Sequence, residues 1–317
     1  MVNYKKKDLK LKPFYIASIA FSVIAVVIGV VVGRSNTNYR LEEATEINLS
    51  SGADISLRGE TMYNDTIKLT KDITITDPNA TIGSSKYPFE GVFDGQGHTV
   101  YLSYTEADAD TSLFNYLSPK AVVKNVTFVY NTVSISGNTY GGIAKINDGT
   151  IENCKVVFEK MIVTDDGLFS PLVVMNRGVI SNVLVKGTVS GNVASTDEEK
   201  VLYGNVCVYN AGVLSGVIAD AEYSGFKCTD ETGYREGTVQ NVGISAIRCS
   251  DIEQGRVQNS VGIVGAGHVT SDMFKGIEFS DRNTVYKYDK IFKELNFDYT
   301  VWEIDAVSGD LILLGGG

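Results

Sequence analysis

Three segments of the chain repeat one pattern of apolar and polar positions. Each begins with an apolar run, continues with Asn-x-Gly and a branched residue, and ends in a strand-like alternation. The segments are GGIAKINDGTIENCKVVF (141–158), SPLVVMNRGVISNVLVKG (170–187) and GNVCVYNAGVLSGVIADA (204–221). Their asparagines, Asn147, Asn176 and Asn210, are 29 and 34 residues apart. A period in this range predicts a solenoid in which each repeat forms one coil.

Alternation inside the repeats predicts parallel strands with an apolar inner face. Shorter segments of the same kind, 122–130, 239–247 and 257–265, extend the array in both directions. Aligning all these strands gives two apolar columns with mixed positions between them, as expected where alternate side chains face outward. The first column contains Val126, Cys154, Val183, Val217 and Val242, and the second contains Phe128, Val156, Val185, Ala219 and Ile244. This pattern predicts a parallel β-helix.

A row of asparagine and glycine residues precedes the first column. The row contains Asn125, Asn153, Asn182, Gly216 and Asn241. Because both residue types tolerate a left-handed backbone, we expect a bend between two faces of the coil at this row.

Composition supports an all-β fold. Glycine accounts for 32 of 317 residues and proline for only five, which favours strands joined by tight turns. Because a solenoid grows by adding coils, we expect one elongated domain over residues 44–317. Residues 44–59, with Ile47, Leu49, Ile55 and Leu57, are expected to cap one end. A divergent cap is expected from about residue 272, with helical spacing at 286–297 and a covering strand formed by Trp302 and residues 310–314.

The N-terminal region differs from the rest of the chain. Residues 14–33 contain no charge and are long enough to cross a bilayer as a helix. Five lysines and one aspartate precede them, so the positive-inside rule places residues 1–13 in the cytoplasm. We therefore predict a single-pass protein of the cell membrane, with a linker over 34–43 and an extracellular domain. The alternative is a signal peptide cleaved near Gly33.

The charge of the exported part excludes one class of partner. Beyond residue 33 the chain carries 23 basic and 37 acidic residues, a formal charge of −14. A nucleic-acid-binding protein needs the opposite sign, so we expect no nucleic-acid partner.

The four cysteines and two histidines do not have the spacing of a metal site. Cys154 stands in a column otherwise filled by valine, which predicts a buried apolar role. For Cys207, Cys228 and Cys249 the disulfide state stays open, and a bridge between Cys228 and Cys249 is one alternative.

A second signature precedes the repeats, between residues 61 and 105. It consists of a strand and the segment FEGVFDGQGHTV (89–100), and it is followed by a Leu-Phe segment (112–114) and a Val-x-Asn strand (123–126). Together with the repeat at 141–154, this order resembles the bacterial cell-surface β-helix proteins of the GLUG-repeat type. The resemblance extends to about residue 220 and is looser in the tail.

The resemblance implies a right-handed, pectate-lyase-like parallel β-helix that is exported and displayed in an adhesin-like role. It implies no defined reaction. The chain departs from the family at Lys145, Val174 and Val208, where the family usually has glycine.

Few residues suggest chemistry. Asp165 and Asp166 are similar to the paired aspartates of one β-helix glycosidase class, but the accompanying Gly-His-Gly and Arg-x-Lys elements are missing, so we assign the pair to a turn. His98 lies at a glycine-rich corner, where we expect a structural role. We expect no cofactor, and a calcium ion at Glu106, Asp108 and Asp110 is the weaker alternative to a hydrated loop.

Connectors of variable length follow the same strand in successive repeats, at 132–140, 190–203 and 224–237. Stacking brings them to one edge, and insertions on one edge often form a binding face. Tyr140, Tyr203 and Tyr234 are therefore candidate contacts for a glycan or a surface-protein ligand. The alternative is that these tyrosines pack onto the edge without a ligand.

We expect a membrane-anchored extracellular β-helix that acts in binding, adhesion or display, and not an enzyme. Two alternatives stay open. One is a polysaccharide lyase or glycoside hydrolase, and the other is a structural subunit of a surface assembly.

Overall fold

In the computed structural model, all the described residues belong to the unit Ala44–Gly317. The described residues are 44–107, 112–137, 139–164, 167–191, 201–204, 206–224, 245–247, 256–264, 279–281, 298–307 and 311–314. The predicted transmembrane helix at 14–33 lies outside them. Within these ranges, no helix is both long enough and apolar enough to cross a membrane.

Strands account for nearly all the regular structure. Helix α1 covers Ala53–Arg58, and one 3-10 turn follows at Gly59–Thr61. The strands are β1 (Glu46–Leu49), β2 (Thr66–Leu69), β3 (Ile73–Ile75), β4 (Val92–Asp94), β5 (Thr99–Leu102), β6 (Glu106–Ala107), β7 (Phe114–Leu117), β8 (Val122–Ile135), β9 (Thr139–Gly141), β10 (Ala144–Asn147), β11 (Thr150–Val163), β12 (Gly167–Ser170), β13 (Val173–Asn176), β14 (Val179–Gly191), β15 (Val201–Tyr203), β16 (Cys207–Asn210), β17 (Val213–Ser224), β18 (Ser245–Ile247), β19 (Arg256–Val264), β20 (Phe279–Asp281), β21 (Trp302–Ile304) and β22 (Leu311–Leu313).

Successive coils stack their strands into three parallel sheets. Sheet A has 12 strands and the path β1-β2-β4-β8-β11-β14-β17-β19-β20, with β3, β5 and β6 beside it. Sheet B has the order β18-β16-β13-β10-β7, and sheet C has the order β15-β12-β9. Each repeat runs from sheet C to sheet B to sheet A, so the predicted all-β parallel solenoid is confirmed.

The register of sheet A confirms the predicted inner columns over four coils. Cys154 pairs with Val126 on one side and with Val183 on the other, and Val183 pairs with Val217. All four side chains are fully buried. The second column, Phe128, Val156, Val185 and Ala219, is equally buried. The apolar ladders therefore fill the interior.

The assignment of the next coil was wrong. Val217 pairs with Ser260, where Val242 was predicted, and Ala219 pairs with Gly262, where Ile244 was predicted. The segment at 239–247 contributes β18 to sheet B, where Ser245 pairs with Cys207. Val-Gln-Asn occurs in both segments, and the second copy, at 257–259, is the one that continues sheet A.

The predicted bend is confirmed wherever it falls on described residues. Asn125, Asn153, Asn182 and Gly216 have φ values of +52°, +53°, +51° and +64°, which is the left-handed region. Asn241 lies outside the described residues.

Side chains at the bend form an outer amide ladder, defined as Asp94, Asn125, Asn153 and Asn182. The Nδ2 of Asn182 donates to Asn153 Oδ1 at 3.3 Å, and Asn153 Nδ2 donates to Asn125 Oδ1 at 3.4 Å. Asn125 Nδ2 then donates to Asp94 Oδ1 at 3.2 Å. Each bend is therefore tied to the bend of the preceding coil.

The asparagines of Asn-x-Gly form an inner amide ladder, defined as Asn147, Asn176 and Asn210. Asn147 Nδ2 donates to Asn176 Oδ1 at 2.8 Å, and Asn176 Nδ2 donates to Asn210 Oδ1 at 2.8 Å. Asn147 Oδ1 also accepts from the backbone N–H of Gly149 at 3.1 Å. Because a buried amide is costly without partners, this ladder explains why the repeat retains its asparagine.

The N-terminal end carries a short helix in place of a strand. Strand β1 pairs with β2, and α1 packs near β3 with Ile55 buried in the core. Leu49 is also buried, but Leu57 is 83% exposed. Leu57 was therefore wrongly included among the apolar residues of this end.

The end of the chain forms an antiparallel hairpin of β21 and β22. Trp302, Leu311 and Leu313 pack on Leu184 and Ile218, which occupy outward positions of sheet A. Lys155 Nζ donates to the carbonyl oxygen of Leu311 at 2.5 Å. The described part of the tail thus packs on a side of the solenoid, whereas a cap on its end was predicted. The physical reason is that Leu184 and Ile218 are apolar residues at outward positions, and contact with the hairpin removes them from water. The cap boundary near 272 and the segment at 286–297 lie outside the described residues.

Candidate functional site

The predicted contact residue Tyr140 is not at the surface. It lies in β9, pairs with Phe169 and has 0% of its surface exposed. Its position in sheet C points into the core, so the prediction that Tyr140 contacts a ligand was wrong. Tyr203 belongs to β15, where its backbone pairs with Phe169. Tyr234 lies outside the described residues.

Tyr140 instead belongs to a buried group of tyrosines with Tyr104 and Tyr130. Burial raises the pKa of Tyr104 to about 12 and the pKa values of Tyr130 and Tyr140 well above their usual value. The hydroxyl of Tyr130 donates to the carbonyl oxygen of Pro171 at 3.5 Å. The three phenols therefore stay protonated near neutral pH and act in packing.

Most of the other predicted candidates fall on residues that the structure does not describe. Asp165, Asp166, Asp108 and Asp110 lie outside the described residues. Glu106 is exposed in β6. In the part of the chain that the structure describes, no group of three or more histidine, cysteine or carboxylate side chains is placed to hold a metal ion.

His98 follows the predicted tight corner. Gln96 and Gly97 have φ values of +52° and +81°, and His98 Nδ1 lies 3.3 Å from Asp72 Oδ1. This contact joins neighbouring coils, which fits a structural role.

Cys154 and Cys207 are both fully buried. Burial raises the pKa of the Cys154 thiol, so it is a poor nucleophile and an apolar filler, as predicted. Cys228 and Cys249 lie outside the described residues.

A row of large side chains runs along the surface of sheet B. Tyr116, Ile146, Met175 and Tyr209 occupy one register position on four adjacent strands, and each is partly exposed. With strands about 4.8 Å apart, the row is about 14 Å long. Such a row is continuous across coils and follows the axis of the solenoid.

Two further tyrosines, Tyr63 and Tyr87, lie in the coils that precede β7. Ile82 and Phe89 form bridges with Phe114 and Leu117, so residues 83–88 protrude as a loop beside β7. Asn115 Nδ2 donates to Ser85 Oγ at 3.0 Å and ties the loop to the strand. On the loop, Tyr87 stacks on Tyr63 with ring centroids 5.2 Å apart. We define the tyrosine stripe as Tyr63, Tyr87, Tyr116, Ile146, Met175 and Tyr209.

Two ion pairs lie near the tyrosine stripe, and a third cation, Lys86, has its Nζ 4.9 Å from the ring centroid of Tyr87. Arg177 donates from Nε to Asp148 Oδ1 at 2.5 Å and from Nη2 to Asp148 Oδ2 at 2.7 Å. The hydroxyl of Tyr116 donates to the same carboxylate at 2.5 Å. These hydrogen bonds to Asp148 raise the pKa values of both Tyr116 and Arg177. Lys120 Nζ likewise lies 3.3 Å from Glu90 Oε2.

Sequence reasoning missed the tyrosine stripe, although a signal for it exists. Ile146, Met175 and Tyr209 each come directly before the repeat asparagine. The residue two positions before each of them is buried. If side chains alternated strictly along the strand, the side chain at this position would also face the core. The position is nevertheless partly exposed in all three repeats.

Comparison with known proteins gives no further assignment. The chain has no match among family models, curated proteins or solved structures. The likeness to GLUG-repeat proteins therefore stays a prediction from the sequence.

Proposed function

We propose that this chain is a membrane-anchored extracellular β-helix that binds a ligand at the cell surface, in an adhesive or display role. The observation that carries the proposal is the tyrosine stripe. Its four paired rungs offer partly exposed apolar and aromatic groups in register. Aromatic residues combine a large contact area with a polar end, and they are enriched at binding surfaces.

The location follows from the sequence of the N-terminus. The uncharged residues 14–33 and the preceding lysines support an anchor with the β-helix outside the cell. The likeness to GLUG-repeat surface proteins supports the same location and a right-handed coil.

Binding is favoured over glycan cleavage by the state of the acids beside the stripe. A glycosidase needs one carboxyl group as acid and a second as base or nucleophile. Asp148 is engaged by both Arg177 and Tyr116, and Glu90 is paired with Lys120. These carboxylates are therefore better suited to hold the surface in shape than to transfer protons.

The test uses the full-length protein in detergent micelles and measures its retention on isolated cell-envelope material. Met175→Asp places a charge in the middle of the tyrosine stripe, so we expect retention to fall about tenfold or more. Tyr101→Ala is the matched control, because Tyr101 is 39% exposed on the outer face of sheet A. Equal retention of the wild type and Met175→Asp would contradict binding through the stripe.

Release of reducing sugar from the same material, measured in parallel, tests the enzyme alternative. Turnover by the wild type would contradict the proposed function directly. Protease treatment of intact cells tests the location, because an extracellular domain is cleaved while residues 1–13 are protected.

A further inference from the structure

We infer that the tyrosine stripe binds a neutral, linear polysaccharide of β-linked pyranose units, which lies along the solenoid axis and crosses the rungs of sheet B. This inference rests on the proposed function and names the ligand class of the same surface.

The first argument is the repeat distance of the surface. Tyr116, Ile146, Met175 and Tyr209 recur once per strand, at about 4.8 Å. This spacing is close to the length of one pyranose unit in an extended chain. A linear glycan along the axis therefore presents one sugar ring to each rung.

The second argument is the chemistry of the contact groups. A β-linked pyranose with equatorial hydroxyl groups has flat faces of C–H groups and a polar rim. The tyrosine rings offer flat apolar faces with a hydroxyl at one end, and Ile146 and Met175 continue the apolar surface between Tyr116 and Tyr209. Met175 adapts its shape to irregular ligands because its side chain is unbranched.

The third argument is charge. The guanidinium of Arg177 is held by Asp148, and Lys120 is paired with Glu90. A third cation, Lys86, lies over the ring of Tyr87. Since the exported part carries a formal charge of −14, a polyanionic glycan would nevertheless be repelled overall. A neutral chain meets no such cost.

A peptide strand is a poorer occupant. Strands β10 and β13 are hydrogen-bonded to neighbours on both sides, so the middle of sheet B offers no free edge for an added strand. The stripe also consists of partly exposed side chains, whereas protein hot spots favour fully desolvated anchors in well-packed pockets. A protein ligand is accordingly an outcome that the test must detect.

The test is calorimetric titration of the full-length protein in detergent micelles. The probes are cellohexaose and chitohexaose as neutral β-linked chains, cellobiose as a short chain, and hexagalacturonate as an acidic chain. We expect at least one neutral hexamer to bind, a loss of about tenfold for the dimer because fewer rungs are contacted, and no binding of hexagalacturonate.

Variants locate the site. Tyr87→Ala removes a ring that precedes Tyr116 and Tyr209→Ala removes the ring of the last rung, and each should weaken hexamer binding about fivefold or more. Tyr101→Ala should leave it unchanged. Circular dichroism of every variant verifies the fold, and Tyr209→Phe, which keeps the ring, should retain most of the affinity.

The outcomes separate this inference from the proposed function. Hexamer binding that is insensitive to Tyr87 and Tyr209 would overturn the stripe as the glycan site. Stripe-dependent retention on envelopes that protease pretreatment abolishes, with no glycan bound, would identify a protein ligand and overturn the inference alone. Absence of retention on envelopes would overturn the proposed function itself.

Discussion

The outer faces of sheets A and B both carry apolar side chains, but within the described residues a segment of the chain packs over only one of them. On sheet A, Leu184 and Ile218 face outward and are fully buried under the hairpin. On sheet B, Met175 and its neighbours in the tyrosine stripe remain partly exposed. An apolar outward position in a solenoid is therefore not a defect in the pattern, since it marks either a contact within the chain or a surface available to a ligand.

The comparison is unusually direct because Met175 and Leu184 belong to the same coil. The protein also contains an internal fluorescent reporter of the covered face. The chain contains a single tryptophan, and this residue, Trp302, is buried in the contact between the hairpin and sheet A. We therefore expect its fluorescence to report on the covered face.

The largest expected effect tests whether the inner and outer positions of sheet A are correctly separated. Val183→Asp buries an unpaired charge in the first column, and we expect it to lower the free energy of unfolding by about 4 kcal/mol or more. Lys186→Gln, at an outward position of the same strand, buries no charge and should change it by less than about 1 kcal/mol. Urea unfolding followed by circular dichroism measures both, and equal effects would mean that the assignment is shifted by one residue.

The next effect breaks the covered face. Leu184→Asp places a charge under Trp302, and we expect a loss of about 2 to 3 kcal/mol, limited by release of the hairpin. Tryptophan emission should shift to longer wavelength as Trp302 meets water. Met175→Asp on the open face should leave the emission unchanged, and a shift there would show that the two faces are coupled.

A smaller effect concerns the interior that both faces share. An unfolded tyrosine ionises near pH 10, whereas burial raises the pKa of folded Tyr104 to about 12. Between these values the unfolded state holds fewer protons, so stability is fully present below pH 10 and declines as the pH rises. The slope is about 1.4 kcal/mol per pH unit for each such tyrosine.

Urea unfolding between pH 9 and 11 measures this decline, with tyrosinate absorbance as the companion signal. Tyr104→Phe should reduce the dependence of the unfolding free energy on pH by the contribution of one tyrosine. A slope that is unchanged in Tyr104→Phe would show that this phenol is already ionised or exposed.

The smallest expected effect lies on the open face. Met175→Gln should change the free energy of unfolding by less than about 0.5 kcal/mol, because the side chain is partly exposed and no segment of the described chain packs over it as the hairpin does over Leu184. Thermal unfolding measures the change. A loss comparable to that of Leu184→Asp would mean that part of the chain covers sheet B as well.

The sequence was sufficient to predict the strands and bends of the repeated coils, but not the segments that follow them or pack on them. Val126, Cys154, Val183 and Val217 could be aligned because stacked copies share one register, and the bend at Asn153 followed because only a few residue types adopt a left-handed backbone. The alignment of the next coil was wrong at Val242, because an insertion lengthens that coil and the Val-Gln-Asn motif used for the alignment occurs twice.

The candidate site was harder to predict because exposure depends on distant parts of the chain. Leu184 and Met175 are both apolar residues next to alternating strands, and nothing local reveals that a hairpin more than a hundred residues later covers the first of them. Tyr140 was placed in a loop because its segment varies in length, whereas its pairing with Phe169 in sheet C turns it inward.

The two amide ladders also have directions, and these are opposite. In the outer ladder each amide donates toward the N-terminal end, from Asn182 to Asn153 and finally to the carboxylate of Asp94. In the inner ladder the donors point the other way, from Asn147 through Asn176 to Asn210. Aligned amide dipoles reinforce one another along each row, but two antiparallel rows oppose each other. Coils can therefore be gained or lost over evolution without building up an axial dipole of the kind that a long helix acquires.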